Sequence, residues 1–278
     1  MYDILITHSM LITHGIIYLV SFIFSYYFAY NDIYKFINLV ILGWSLFGLT
    51  SIGHELYHLK IDKKNRITNF FVDLVGFCCL DLWGVSKENW IERHNKWHHY
   101  NVREEGEDEH LVKGSQITNF INTIVVLTKT YRLLEISLRN FLIIFFRIFF
   151  FGQISFYALP VVYSTVILCT MYLTFIAHCA PVIIKNESPE LKQIHRSVDI
   201  FPHNSIIILL TGAFNMHTAH HLSSSTTRDG LYKIHNEYTK KYPLEYRVIK
   251  TPRHLLNFFL NNYVEFNSTE EWNKKILA

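Results

Sequence analysis

Residues 94–99 read HNKWHH, three imidazoles within six positions. On a helix His94 and His98 lie one turn apart and share a face, with His99 about 100° around. Each buried imidazole must find a polar partner, so a plain core has no use for this much nitrogen and the pattern points to metal ligands. Two sister clusters make the same demand. His54 and His58 stand at i, i+4 in HELYH, and His217, His220 and His221 fall on one side of a helix in HTAHH. Whatever this chain folds into must bring three distant, histidine-bearing helix ends to one place.

The means of doing so is written in the apolar residues, which make up 50% of the 278 positions and are bunched into runs. Runs over 10–30, 33–53, 133–151 and 154–177 have the length a bilayer requires. The runs at 70–83, 117–128 and 205–214 are too short to cross, and the first of these reads as a re-entrant or interfacial helix. Arg147, inside the third span, must snorkel or face protein. Lys60, Lys63, Lys64 and Arg66 follow the second run and mark a cytoplasmic face. The first run has neither a basic leader nor a cleavage site and is expected to remain as a span. The expected fold is all-α and integral to a membrane. Four transmembrane helices form two hairpins, with short interfacial helices and a histidine-rich helical cap (54–132 and 178–278) on the cytosolic side, all within one domain, 1–278. That topology puts the three clusters, and His178 at the end of the fourth span, on a single aqueous face.

The remaining composition mainly excludes. A net charge of +3 is too small to argue for nucleic acid. Cys78, Cys79, Cys169 and Cys179 show no CxxC spacing, which removes a built-in rubredoxin, a zinc ribbon and a disulfide framework. Nine histidines (His54, His58, His94, His98, His99, His178, His217, His220 and His221) exceed what one catalytic zinc uses and suit two metals. Imidazole serves Fe, Zn, Cu and Ni alike, so spacing speaks to the number of ions better than to their identity. His8, His14, His203, His235 and His254 are read as ordinary polar or core residues, and His110 and His195 as candidates to support a ligand.

The clusters HxxxH, HxxxHH and HxxHH, in that order between membrane hairpins, resemble the three histidine boxes of the integral-membrane fatty acid desaturase family. His98-His99-Tyr100-Asn101 with Asp108-Glu109 is similar to the continuation of the second box. Asn215-Met216-His217-Thr218-Ala219-His220-His221-Leu222 is similar to the third, and Leu231 to His235 to the segment that follows it. His178 stands where the family places an extra histidine. The resemblance implies two non-haem iron ions held by the nine histidines, with Asn101, Asp108, Asn215 and Thr174 as candidates to support them. It implies an O2-dependent oxidoreductase that takes hydrogen from a fatty acyl chain carried on CoA, a carrier protein or a lipid. No HPGG haem motif is present, so electrons are expected from a separate ferredoxin or cytochrome b5 type protein. The chain departs from the family where Ser223 to Arg228 replaces a proline-containing turn, where the second box lacks its proline, and at Thr174, an asparagine in animal acyl-CoA desaturases. The same boxes serve fatty acyl hydroxylases and acetylenases. A rival of another class, a membrane zinc metalloprotease, would use His54 and His58 as ligands and Glu55 as base in HExxH, and would leave seven of the nine histidines idle. Glu55 is then expected to orient a ligand histidine instead. A non-enzymatic metal carrier would need exposed, flexible histidine tracts, not clusters anchored at helix ends.

Overall fold

The computed structural model of the chain describes residues 2–27, 31–58, 66–80, 87–100, 102, 141–142, 145, 148–149, 151–178, 180–226, 228–261 and 264–278. The basic residues at 60–64, Asp81, Asn101, the acidic run 104–109 with Asp108, His110, Cys179 and most of the expected span 133–151 lie outside the described residues. The chain divides into two compact units, Thr7–Ile91 with Leu127–Thr170, and Met1–Ile6 with Glu92–Val126 and Met171–Ala278.

The first, apolar unit is built on helices α1 (Tyr2–Tyr27) and α2 (Asp32–His58). Asn31 accepts from the Ile33 amide and starts α2. The helices pair antiparallel: the Asn38 amide donates to the Ser21 carbonyl and the Ser25 hydroxyl at 2.5 Å, and one face further along His14 packs on Trp44, ring centroids 5.1 Å apart. A methyl group at Gly48 would overlap the His14 ring, so the glycine is the notch that admits a buried imidazole. Leu39, Leu42 and Leu46 bury against Phe151, Ala158, Val162 and Val166. The last three belong to α5 (Ala158–Ala177). Gly43 faces Val162 and Thr165, while Asp32 meets Tyr157. Ascending pairs of this kind make α5 parallel to α2. Amphipathic α3 (Arg66–Cys79) folds back on α2 through Gly53 against Leu80 and Gly76 against Tyr57, and leaves Phe70, Phe71, Leu74 and Phe77 exposed. Among the described residues one helix, α2, is long and apolar enough to cross a membrane, with mean hydropathy 1.7; the apolar stretches Ile12–Tyr27, Thr68–Cys79 and Ala158–Cys169 are shorter.

The second unit begins after α4 (Lys87–Trp90) and continues past α5 into α6 (Pro189–Arg196), β1 (Asp199–Ile200), α7 (Ser205–Thr211), α8 (His217–Leu222), α9 (Arg228–Lys241), β2 (Val248–Ile249), α10 (Pro252–Leu260) and α11 (Thr269–Ile276). Four of its helices start on recognisable caps: Ser188 before Pro189, Asn204, Thr251 before Pro252, and Ser268 each accept an amide of the first turn. Strands β1 and β2 pair in parallel, Asp199 with Val248 and Ile200 with Ile249, and single β-bridges join Val182 to Phe266 and Asp199 to Met216, small departures from the all-α expectation. Ala180, Val182, Val198, Ile249, Phe258, Phe266 and Trp272 form the core around them. Through that core runs Arg247, 1% exposed, which donates to the carbonyls of Ala180, Ser197 and Ile194 and lies 5.2 Å from the Trp272 ring centroid.

Candidate metal centre

The second cluster does not sit on an α-helix. Ile91–His98 is a π-helix, and the His99 amide donates to the His94 carbonyl five residues back at 3.2 Å. The wider turn corrects the expected 100° offset of His99. His94 and His98 stack with centroids 5.0 Å apart, while His94 and His99 meet edge-on with their Nε2 atoms at 3.1 Å. One residue inserted into a helical turn thereby brings all three rings of the box to one side, a use to which such bulges are often put.

The third cluster lies on α8, where i+3 and i+4 point differently. His217 and His221 approach each other at 3.1 Å between Nε2 atoms. His220 turns instead toward His99 and His94, with centroids 5.0 and 6.4 Å away. His178, immediately after α5, completes the first group: its Nε2 lies 2.8 Å from that of His217 and 3.2 Å from that of His98. His98, His178, His217 and His221 are all buried, and one nitrogen from each lies within 4.8 Å of the others.

Hydrogen-bond chemistry decides which nitrogens are bare. A carbonyl oxygen can only accept, so His178 Nδ1, 3.0 Å from the Arg196 carbonyl, carries the proton and its Nε2 is a lone pair. Gln193 settles His221 the same way. Its Nε2 donates to the His99 carbonyl at 2.7 Å, which turns its Oε1 toward His221 Nδ1 at 3.0 Å. His221 Nδ1 is therefore the donor and its Nε2 is also a lone pair. Both lone pairs face His217 Nε2, and that of His178 also faces His98 Nε2. A cation at the centre would be shared by all four nitrogens. Metal–imidazole bonds of about 2.1 Å place neighbouring nitrogens about 3.0–3.4 Å apart, close to the spacings found. The donor set thus fits a divalent transition metal of the imidazole-preferring kind.

Charge supports the same state. Burial, with the nearby His98 as a smaller cause, pushes His220 down to about 3. Burial, with His99, His217, His178 and His98 around it, holds His221 well below the ordinary histidine range. In both, burial favours the neutral imidazole, the form a metal ligand requires.

The residues that hold this arrangement were not visible from spacing. Asp199, fully buried, accepts from the Thr218 amide at 2.8 Å and that of Ala219 at 3.4 Å, and so fixes the first turn of α8. Its other oxygen takes His235 Nδ1 and the Tyr246 hydroxyl, both at 2.7 Å. His235, expected to be an ordinary polar residue, is thus tied to the third cluster through Asp199. Glu187 binds His195 and Arg196 at 2.8 Å each, and the Arg196 guanidinium donates to the Val102 carbonyl at 2.9 Å, just beyond the second cluster. The signal in the sequence was only that 187–199 is polar and lies between two ligand segments.

Of the nine expected ligands, seven (His94, His98, His99, His178, His217, His220 and His221) gather in this unit. His54 and His58 lie in the apolar unit on the last turns of α2, with rings 4.7 Å apart and Trp90 4.8 Å from His54. Of the expected supporting residues, Glu55 is half-buried beside them. Asn215 bonds the Ile200 and Phe201 carbonyls and the Thr211 hydroxyl, anchoring the entry to α8 and not an imidazole. Thr174 is on α5 with its side chain outside the described residues, as are Asn101 and Asp108 entirely. Residues 35–134 match the family model described as fatty acid desaturase. Comparison with curated proteins finds no match.

Proposed function

From the match of residues 35–134 to the fatty acid desaturase family and the three histidine clusters, we propose that this chain is an O2-dependent fatty acyl desaturase with two non-haem irons. The observation that carries the reading is the convergence of buried His98, His178, His217 and His221, with the Nε2 atoms of His178 and His221 as acceptors turned toward the others. Such a donor set suits a metal, and the resemblance to the family assigns His54, His58, His94, His99 and His220 to the rest of the pair. When bound, iron supplies the one-electron redox chemistry that O2 activation and removal of hydrogen from an unactivated acyl carbon require, which zinc does not.

The protein's own part is positional. His178 and His221 present fixed tautomers, α8 is clamped by Asp199, and burial disfavours the charged form of His220 and His221. Desaturation consumes O2, two electrons and two protons, removes two hydrogens from the acyl chain and yields two waters. The electrons come from a separate ferredoxin or cytochrome b5 type partner. The acyl group, on CoA, a carrier protein or a lipid, lies among the aromatic-rich helices.

Membrane residence accords with the length of α2, with the parallel course of α5 and with the exposed Ile12, Ile16, Leu19, Val20 and Ile23 along α1. We place four spans in the bilayer, with the site on the cytoplasmic face. The test is acyl-product mass spectrometry of the purified protein supplied with O2 and a reductase–donor system. A main product lighter by two hydrogens supports a desaturase. A main product that gains an oxygen atom from O2 replaces it with a hydroxylase on the same metal site. Turnover without O2 or electrons would overturn both.

A further inference from the structure

The geometry points to Gln193 as a positioning residue that joins the second and third histidine clusters and presents one tautomer of His221 to the metal. This rests on the metal reading above and extends it to a residue outside every histidine box. Gln193 lies on α6, between ligand segments, and its single amide does two jobs at once. Its Nε2 holds the His99 carbonyl at 2.7 Å, at the point where the π-helix ends. Its Oε1 takes the proton of His221 Nδ1 at 3.0 Å. Neither end can be exchanged, because the carbonyl cannot donate and an amide nitrogen facing His221 would leave His99 without its donor.

The consequences are specific. With Nδ1 bound, His221 Nε2 is the lone pair that faces His217 and the other nitrogens of the group. Without Gln193, the Nδ1–H and Nε2–H forms of neutral imidazole become similar in energy, and a population of His221 offers the pocket an N–H in place of a lone pair. The His99 carbonyl loses its donor at the same time, and with it the link between the end of the π-helix and α6. A hydrophobic residue of similar length at 193 would preserve the packing of α6 and remove both effects. The neighbouring turn of the same helix supports the assignment, since the Arg196 carbonyl performs the equivalent task for His178 Nδ1 at 3.0 Å. α6 therefore selects the tautomer of two of the four converging histidines, one by a side chain and one by its backbone.

The experiment uses the full-length protein in detergent, stripped of metal and titrated anaerobically with Co(II) against a competing chelator. The visible ligand-field band is followed together with the melting temperature of the metal-free protein. Gln193→Leu should weaken Co(II) binding by about 10- to 100-fold, as expected when the outer partner of a ligating histidine is lost, and should shift the band. Gln193→Glu, which keeps an acceptor at His221 Nδ1, should bind more tightly than Gln193→Leu and show a displaced band of its own. A residue with only a packing role would lower the melting temperature and leave affinity and band at wild-type values. That result in Gln193→Leu overturns the inference while the metal reading stands. If Gln193→Leu does not accumulate, wild-type affinity and band in Gln193→Glu overturn it equally. Wild-type protein that takes up no Co(II) overturns the metal reading and this inference with it.

Discussion

The two units of this molecule bury histidine in opposite ways. In the apolar unit His14 lies in a notch that Gly48 leaves open, against the Trp44 ring, and the surrounding contacts are those of Leu39, Leu42 and Leu46 with α5. In the other unit the imidazoles are gripped by groups with fixed donor and acceptor roles: Gln193, the Arg196 carbonyl and, through α8, Asp199. The first unit is organised by shape and the second by hydrogen-bond direction. Shape tolerates compensation, because a displaced ring can be exchanged for a smaller one. Direction does not, because a carbonyl left without a donor has no second option in a dry interior.

The largest effect that would break the comparison is at the converging imidazoles. His217→Ala should remove activity by more than the roughly 10- to 100-fold typical of losing an outer partner, and should lower bound iron, with insertion and expression unchanged. Elemental analysis beside product formation checks this; full iron content would show that directional placement of His217 is dispensable. The pH response comes next. His220 and His221 are held far below the ordinary histidine value by burial, so the unfolded chain takes up protons near pH 6.5 that the folded, metal-free protein refuses. Stability of chelator-treated protein should be intact above pH 6.5 and fall steadily as the pH drops toward 3. Melting curves across that window that stay level would contradict the buried, neutral state.

Arg247→Met should cost about 3 kcal/mol, since three buried carbonyls lose a charged donor; a melting temperature in detergent near wild type would place the second unit in the same class as the first. Gly48→Ala should cost about 1–3 kcal/mol by overpacking against His14. Combining it with His14→Ala should recover most of that loss, the compensation expected of a shape-organised site, and a double variant no better than the single one would remove the distinction. The smallest effect is at Ala213, which follows Gly212 in the left-handed region with φ 66°. Ala213→Gly should gain about 0.5 kcal/mol, the relief of that conformation less the added entropy of glycine, seen as a slightly raised melting temperature.

What sequence alone made legible was whatever depends on local pattern. Bunched apolar residues announced α1, α2 and α5, and the caps at Asn204, Thr251 and Ser268 are short-range chemistry that any reader of the chain could mark. The histidine spacings pointed to nine candidate ligands and a family resemblance from the sequence alone, because metal binding needs a residue type that ordinary cores avoid. Three things were out of reach. The π-turn at Ile91–His98 differs from an α-turn by a single residue and is chosen by what its rings meet. The parallel pairing of Asp199–Ile200 with Val248–Ile249 involves two residues on each side, too few to show a period. The partners of the ligands, Gln193, Arg196 and Asp199, carry no motif at all. Their roles depend on which carbonyl or ring nitrogen lies within 3 Å or so across gaps of 18 to 94 residues, and hydrogen-bond direction at that range exists only once the chain has closed on itself.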